Sequence, residues 1–149
     1  MKLTNKRIFA FTGAIALITA AVTLMVVFTR SSAVISRNIS RVSEKNGTIV
    51  LSKATPFDWD KAYILEGPYM GGEQIDEITG VKCGLKRTEF EQIRRIVFIK
   101  DRTFVFDYQY SISKIYITPA GIVVDKNNCS FLSSIYFNGI KLTAIHDIP

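Results

Sequence analysis

An uncharged apolar run near the N-terminus is the feature that most restricts how this chain folds. It covers residues 8–29 and contains no Asp, Glu, Lys or Arg. An α-helix rises about 1.5 Å per residue, so a helix over this run is roughly 33 Å long, about the thickness of one hydrocarbon core. The run therefore predicts an N-terminal transmembrane helix that anchors the chain.

A cleaved signal peptide is the alternative to an anchor. Thr19-Ala20-Ala21 offers small residues for cleavage, but a cut there leaves an apolar segment at the mature N-terminus. Basic residues lie on both sides of the run, and those before it form a short stub. Such a stub normally stays in the cytoplasm, so we expect the rest of the chain on the periplasmic side of a bacterial inner membrane, single-pass.

The charge distribution argues against a nucleic-acid partner. The chain carries 19 basic and 13 acidic residues, for a net charge of +6. The whole excess lies in residues 1–45, around the apolar run, while residues 46–149 carry equal numbers of basic and acidic side chains. A nucleic-acid-binding domain normally presents a basic face.

The segment after the apolar run has a helical pattern. Ile35, Ile39 and Val42 recur at helical spacing, and Arg37 and Arg41 fall on the opposite face. This predicts an amphipathic stalk over residues 30–47, with a solvated linker as the alternative. The predicted organisation is a cytoplasmic stub over 1–7, the anchor over 8–29, the stalk, and an extracytoplasmic domain over 48–149.

The chain has two cysteines, Cys83 and Cys129. They are too few for a zinc site made of cysteines, and the single histidine, His146, does not complete one. In an oxidising compartment an even pair predicts a disulfide, with two buried thiols as the alternative. We predict no metal and no cofactor.

The remaining residues predict an α+β fold: a small domain with a mainly antiparallel sheet and two short helices. One helix is expected over residues 73–78, and a capping box at Thr88–Glu91 predicts the other through Arg94. Alternating residues predict a hairpin over 95–110, with Phe104, Phe106, Tyr108 and Tyr110 on one face. Asn138-Gly139 between two apolar runs predicts a second hairpin, because both turn positions require positive φ.

Two groups of residues are candidates for chemistry or binding. Asp58 and Asp60 flank Trp59 and could hold a cation or act as acid and base, although capping, ion pairing and core filling are the favoured interpretation. A basic cluster stands beside an acidic segment at Glu66–Glu77, and such clusters are either solvated or attract a charged partner. The candidate partner-binding residues are Lys86, Arg87, Arg94, Arg95, Asp58, Trp59 and Asp60.

One stretch resembles a loose group of small bacterial envelope proteins. The resemblance rests on Phe57-Asp58-Trp59-Asp60-Lys61-Ala62-Tyr63-Ile64, followed by Pro68-Tyr69 and by Ile96–Asp101. Those proteins have a lipoprotein signal or a single anchor and a compact domain with an F-D-W-D-K-x-Y segment, and no function is assigned to them. The resemblance implies a location in the envelope and no chemistry, and this chain lacks their lipid-attachment cysteine.

No arrangement of catalytic residues stands out in the sequence, so we do not expect an enzyme. Aromatic-rich strands and segregated charges favour a protein that acts by binding another protein, as an immunity or inhibitor protein against a toxin or envelope enzyme. The alternative is an accessory subunit of a membrane or secretion complex, held through its anchor and stalk.

Overall fold

The computed structural model describes Thr19, Val26, residues 29–45 and residues 47–145. Helix α1 covers residues 29–43. The strands are β1 (Thr48–Val50), β2 (Lys61–Leu65), β3 (Ile93–Lys100), β4 (Thr103–Ser111), β5 (Ile115–Thr118), β6 (Ile122–Asp125), β7 (Ser130–Tyr136) and β8 (Gly139–Ala144). Two short helices, α2 (Leu51–Ala54) and α3 (Gly72–Thr79), complete the described elements.

The strands form two four-stranded sheets. The first has the order β1-β7-β8-β5 and is antiparallel except where β5 runs parallel to β8. The second has the order β4-β3-β2-β6 and is antiparallel throughout. Thus β5 and β6, which are close in sequence around Pro119, belong to different sheets.

The inner faces of both sheets contribute to one hydrophobic core. Ala62 and Ile64 of β2 and Phe98 of β3 meet Phe131 of β7 and Leu142 of β8 in this core. The alternate residues of β2 and β3 point to the other side of the second sheet. There Leu65, Val97 and Ile99 pack with Ile75 of α3 in a second cluster, so α3 and the segment after it cover this outer face.

Helix α1 is part of the domain, which corrects the interpretation of residues 30–47 as a stalk. The periodicity correctly predicts a helix, but Ile35 and Ile39 are completely buried in the main core and Val42 packs against it. Arg37 and Arg41 are exposed, as expected for the opposite face. The apolar stripe is therefore a packing face of the domain, and the domain begins before Thr48.

The predicted fold class is wrong. The strands form two sheets around a shared core instead of one sheet, and the helix expected through Arg94 is absent because Thr88 does not cap it. The Thr88 hydroxyl instead accepts a hydrogen bond from the Tyr69 backbone N–H at 2.9 Å, and from Ile93 onward the chain pairs with β4. Of the two short helices predicted within the domain, only the one over residues 73–78 is present, as α3.

The structure does not bear out the transmembrane part of the predicted fold class either. Within the described part of the chain, no helix is both long enough and apolar enough to span a membrane. The run over 8–29 itself lies outside the described residues, apart from Thr19, Val26 and Thr29.

The hairpin of β3 and β4 is confirmed, with one change of register. The pairing passes from Phe98 opposite Phe106 to Ile99 opposite Phe104, so Val105 is an extra residue in β4. A bulge of this kind turns the following side chains to the other face. Phe104 therefore packs in the outer cluster, while Phe106, Tyr108 and Tyr110 lie in the main core.

Candidate functional site

The predicted disulfide between Cys83 and Cys129 is not formed, and both thiols are free. Cys129 is buried in the main core, where its thiol donates to the Lys126 carbonyl oxygen at 3.0 Å. Cys83 packs against the outer cluster, on the opposite side of the second sheet. The sheet separates the two thiols, so this pair no longer supports an oxidising location.

The predicted basic cluster is divided by the alternation of strand β3. Arg94 lies on the same side of the second sheet as the main core, where it lines a recess together with Tyr110. Arg95, the next residue of β3, points to the outer face. Lys86 and Arg87 are exposed on the segment that covers Arg95. The guanidinium carbon of Arg87 lies 5.3 Å from the centroid of the Tyr69 ring, a cation–π distance. These four residues do not form one continuous patch.

Arg95 is a buried structural cation instead of a surface contact. Its side chain is 4% exposed and lies 3.7 Å from the carboxylate of Asp107, which is 3% exposed. Nη2 of Arg95 donates to the Lys86 carbonyl oxygen at 2.5 Å, and the Gln109 amide donates to Asp107 at 2.8 Å. Burial raises the pKa of Asp107, against the opposing effects of Gln109 and Arg95. The pair thus attaches the covering segment to the sheet.

The Asp58–Asp60 segment is occupied by internal contacts. Asp58 pairs with Lys100, whose Nζ lies at 2.5 Å, and with Lys126. The hydrogen bonds from Lys100 and Lys126 hold the pKa of Asp58 far below its usual range. Oδ2 of Asp60 accepts from the Asp101 backbone N–H at 2.7 Å, which supports the β3–β4 turn. These contacts follow the structural interpretation of the two carboxylates.

Trp59 is completely buried in the main core. Its ring lies edge-on to Phe98, with centroids 5.3 Å apart, and its Nε1 donates to the Thr55 hydroxyl at 2.8 Å. Trp59 is therefore not accessible to a partner. Among the described residues, no group of three or more His, Cys, Asp or Glu side chains is arranged to hold a metal.

The tip of the β7–β8 hairpin is the most conspicuous exposed apolar feature of the described surface. Phe137 is 85% exposed and Ile135 is 74% exposed. The Tyr136 ring contacts Phe137 edge-on at 4.7 Å and stacks on Tyr116 of β5 at 5.6 Å. We call Tyr116, Ile135, Tyr136 and Phe137 the aromatic tip. The three rings contact one another through Tyr136, whereas Ile135 projects from the opposite face of β7. Contiguous exposed apolar patches commonly mark interaction sites.

The turn that carries the aromatic tip differs from the predicted one. Tyr136 pairs with Gly139, so the two loop residues are Phe137 and Asn138, and Phe137 has φ 50°. Positive φ is unfavourable for a bulky residue. Gly139 is needed for close packing instead, because a Cβ there would lie 2.7 Å from the Ser113 carbonyl oxygen. The backbone thus presents Phe137 outward at a conformational cost.

Sequence reasoning did not select the aromatic tip, although a signal for it exists. Ile135-Tyr136-Phe137 is an uninterrupted apolar run directly before the Asn-Gly pair. A half-buried strand alternates, so such a run at a turn places at least one large apolar side chain in solvent. Tyr116 has no comparable signal, because only the parallel pairing of β5 with β8 brings it beside Tyr136.

An apolar groove lies on the outer face of the second sheet. It has a volume of about 490 Å³ and is formed by β2, β6, α3 and the turn after β2. Its apolar lining includes Leu65, Met70, Ile78 and Val123, and Glu66 stands among the polar residues that line it. We call this the α3 groove. It can accommodate an apolar side chain, as ligand and interface pockets do.

In comparisons with known proteins, the chain matches no protein family, no curated protein and no solved structure. The resemblance to small bacterial envelope proteins therefore stays a prediction.

Proposed function

We propose that this protein acts by protein–protein binding, and that the aromatic tip makes the central contact. The observation that carries the proposal is the exposure of Phe137 beside two exposed tyrosines, with Ile135 exposed on the other face of the same hairpin. Aromatic side chains dominate the energetic centres of protein interfaces because each buries a large area with few rotatable bonds.

The aromatic tip is also preorganised. The Tyr116–Tyr136 stack and the Tyr136–Phe137 contact orient the rings before any partner arrives. A preorganised contact loses less conformational entropy on binding. Phe137 keeps a left-handed backbone although its side chain is largely exposed. Burial of the Phe137 side chain therefore does not offset the free-energy cost of that backbone conformation. An unfavourable backbone conformation at an exposed aromatic residue supports a functional hypothesis for that residue.

The finer role and the location are proposals that rest on the sequence. A rigid contact residue on a small domain is consistent with the role of an inhibitor or immunity protein in the bacterial envelope. The short basic stub before residues 8–29 supports a periplasmic position at the inner membrane. A C-terminal alkaline phosphatase fusion is expected to be active, and an active cytoplasmic reporter at the same position would contradict this location.

Site-specific photocrosslinking tests the binding proposal. A photoreactive phenylalanine analogue at Phe137 should give a crosslinked protein adduct in cells, because the side chain is buried in the complex. The matched control places the analogue at Phe90, which is 60% exposed and borders a different recess, beside Arg95 and Gln109. Equal or weaker adduct formation at position 137 than at position 90 would contradict the proposal.

A further inference from the structure

The α3 groove has the shape and the polarity to receive the aromatic tip. The groove is concave and lined by apolar side chains, and Ile78 and Val123 in its lining are 47% and 43% exposed. The tip is convex and ends in Phe137, the most exposed large apolar residue of the described chain. The convex apolar tip therefore matches the concave apolar groove in shape and polarity.

Acidic side chains predominate beside the groove, whereas lysines lie beside the tip. Helix α3 carries Glu73, Asp76 and Glu77 and no basic residue, and Glu66 lines the groove itself. Residues 127–145, which contain the β7–β8 hairpin, carry Lys141 and no acidic residue. Lys141 lies next to Tyr116 in the sheet register, and Lys114 is exposed just before β5. Opposite charges around an apolar contact favour its formation and its orientation.

From this complementarity we infer that the partner of the aromatic tip is a second copy of this chain, whose α3 groove receives it. The inference rests on the proposed function and names the partner. A single contact between two different patches of identical chains is heterologous, whereas a reciprocal exchange of tip and groove gives a closed, two-fold symmetric dimer. Glu66 borders the groove and also a recess that Tyr116 lines, so the two patches lie on neighbouring parts of the surface.

Complementation between two variants tests the inference. The full chain is kept in mild detergent because of its uncharged run over 8–29, and its mass is measured by sedimentation velocity. The parent should self-associate, while Phe137→Ser and Ile78→Lys should each weaken self-association by about tenfold or more, as at an interface hot spot. An equimolar mixture of the two variants should form mixed dimers, since one brings an intact groove and the other an intact tip.

The controls separate this contact from other causes of association. Phe90→Ser removes an exposed aromatic residue elsewhere and should leave self-association unchanged. Added salt should weaken the association of the parent, because exposed charges on the two surfaces attract each other. Far-ultraviolet circular dichroism checks that each variant is folded, as expected for substitutions at exposed positions.

If the aromatic tip binds something other than a second copy of this chain, the experiments give a different result for each alternative. If Phe137 crosslinks to a different protein while the chain stays monomeric, the proposed function stands and self-association is wrong. If the tip binds vesicles of anionic phospholipid and the chain stays monomeric, a membrane is the occupant. If the mixture of variants gives no mixed dimers although the parent associates, the tip and the groove are not the two contacting surfaces. If Phe137 gives no adduct, both proposals fail.

Discussion

At the residue scale, Asp58 shows how a surface carboxylate connects three parts of the chain. It binds Lys100 at the end of β3 and Lys126 just after β6. All three side chains are well exposed to solvent, which weakens such pairs. The lowered pKa of Asp58 nevertheless affects stability. Because the folded state favours the ionised carboxylate, the free energy of unfolding depends on pH.

The pH dependence of Asp58→Asn tests this coupling. Because the folded-state pKa is lowered, the stabilisation is present above the unfolded-state pKa of 3.8 and is lost as the pH falls through the folded-state value. The parent should melt at a higher temperature than Asp58→Asn at pH about 7, and the difference should shrink at pH about 3. A difference that grows on acidification would contradict the assignment.

The buried pair of Arg95 and Asp107 gives a second prediction at this scale. Asp107→Ala leaves a buried cation without its partner and should lower the free energy of unfolding by about 3–5 kcal/mol in chemical denaturation. The double variant Arg95→Met, Asp107→Leu should recover most of this loss, because it removes both charges. Equal destabilisation in the single and double variants would show that the pair is not the cause.

At the scale of elements, the two long hairpins place non-glycine residues at positive φ for different reasons. In the β3–β4 turn Asp101 and Arg102 have φ 48° and 58°, and Asp60 supports the turn through the Asp101 N–H. In the β7–β8 turn Phe137 has φ 50° and its ring is exposed. The first turn is supported by a contact within the fold, whereas the second carries the proposed contact residue.

Glycine substitutions distinguish the two hairpins. The left-handed penalty of about 1–2 kcal/mol exceeds the extra chain entropy of glycine, about 0.5–1 kcal/mol, so Arg102→Gly and Phe137→Gly should each raise the free energy of unfolding by roughly 0.5–1 kcal/mol. Only Phe137→Gly should reduce binding. A loss of binding in both variants, or a loss of stability in Phe137→Gly, would contradict the functional account of this strain.

At the scale of the whole molecule, α1 joins the N-terminal part of the chain to the domain. Helix α1 makes two polar contacts in addition to the packing of its buried isoleucines. Asn38 donates to the Ala54 carbonyl oxygen at 3.0 Å, and the hydroxyls of Ser36 and Tyr108 lie 2.9 Å apart. These contacts reach α2 and β4, so the helix holds elements that are distant in sequence. Its orientation is thereby set by the domain.

Alanine substitutions in α1 separate an integrated helix from a stalk. Ile39→Ala should lower the free energy of unfolding by about 2–5 kcal/mol, because it leaves a cavity in the main core. Arg37→Ala on the exposed face should change it by less than about 0.5 kcal/mol. Equal, negligible effects of both substitutions in chemical denaturation would restore the stalk interpretation.

The sequence by itself determined the elements whose pattern is local. The periodicity of Ile35 and Ile39, the alternation along β3 and β4, and the apolar runs around Asn138 each predicted an element that the structure contains. Local spacing suffices there because it places apolar side chains on one face of a helix or strand. The flanking of Trp59 by two carboxylates likewise indicated caps and ion pairs.

Only the tertiary structure decided how these elements combine. The division of the strands between two sheets, the parallel pairing of β5 with β8, and the bulge at Val105 depend on contacts between residues that are far apart in sequence. The same contacts separate Cys83 from Cys129, bury Arg95 against Asp107 and stack Tyr116 on Tyr136. A one-residue change of register moves a side chain to the other face, so no local pattern reveals these neighbours.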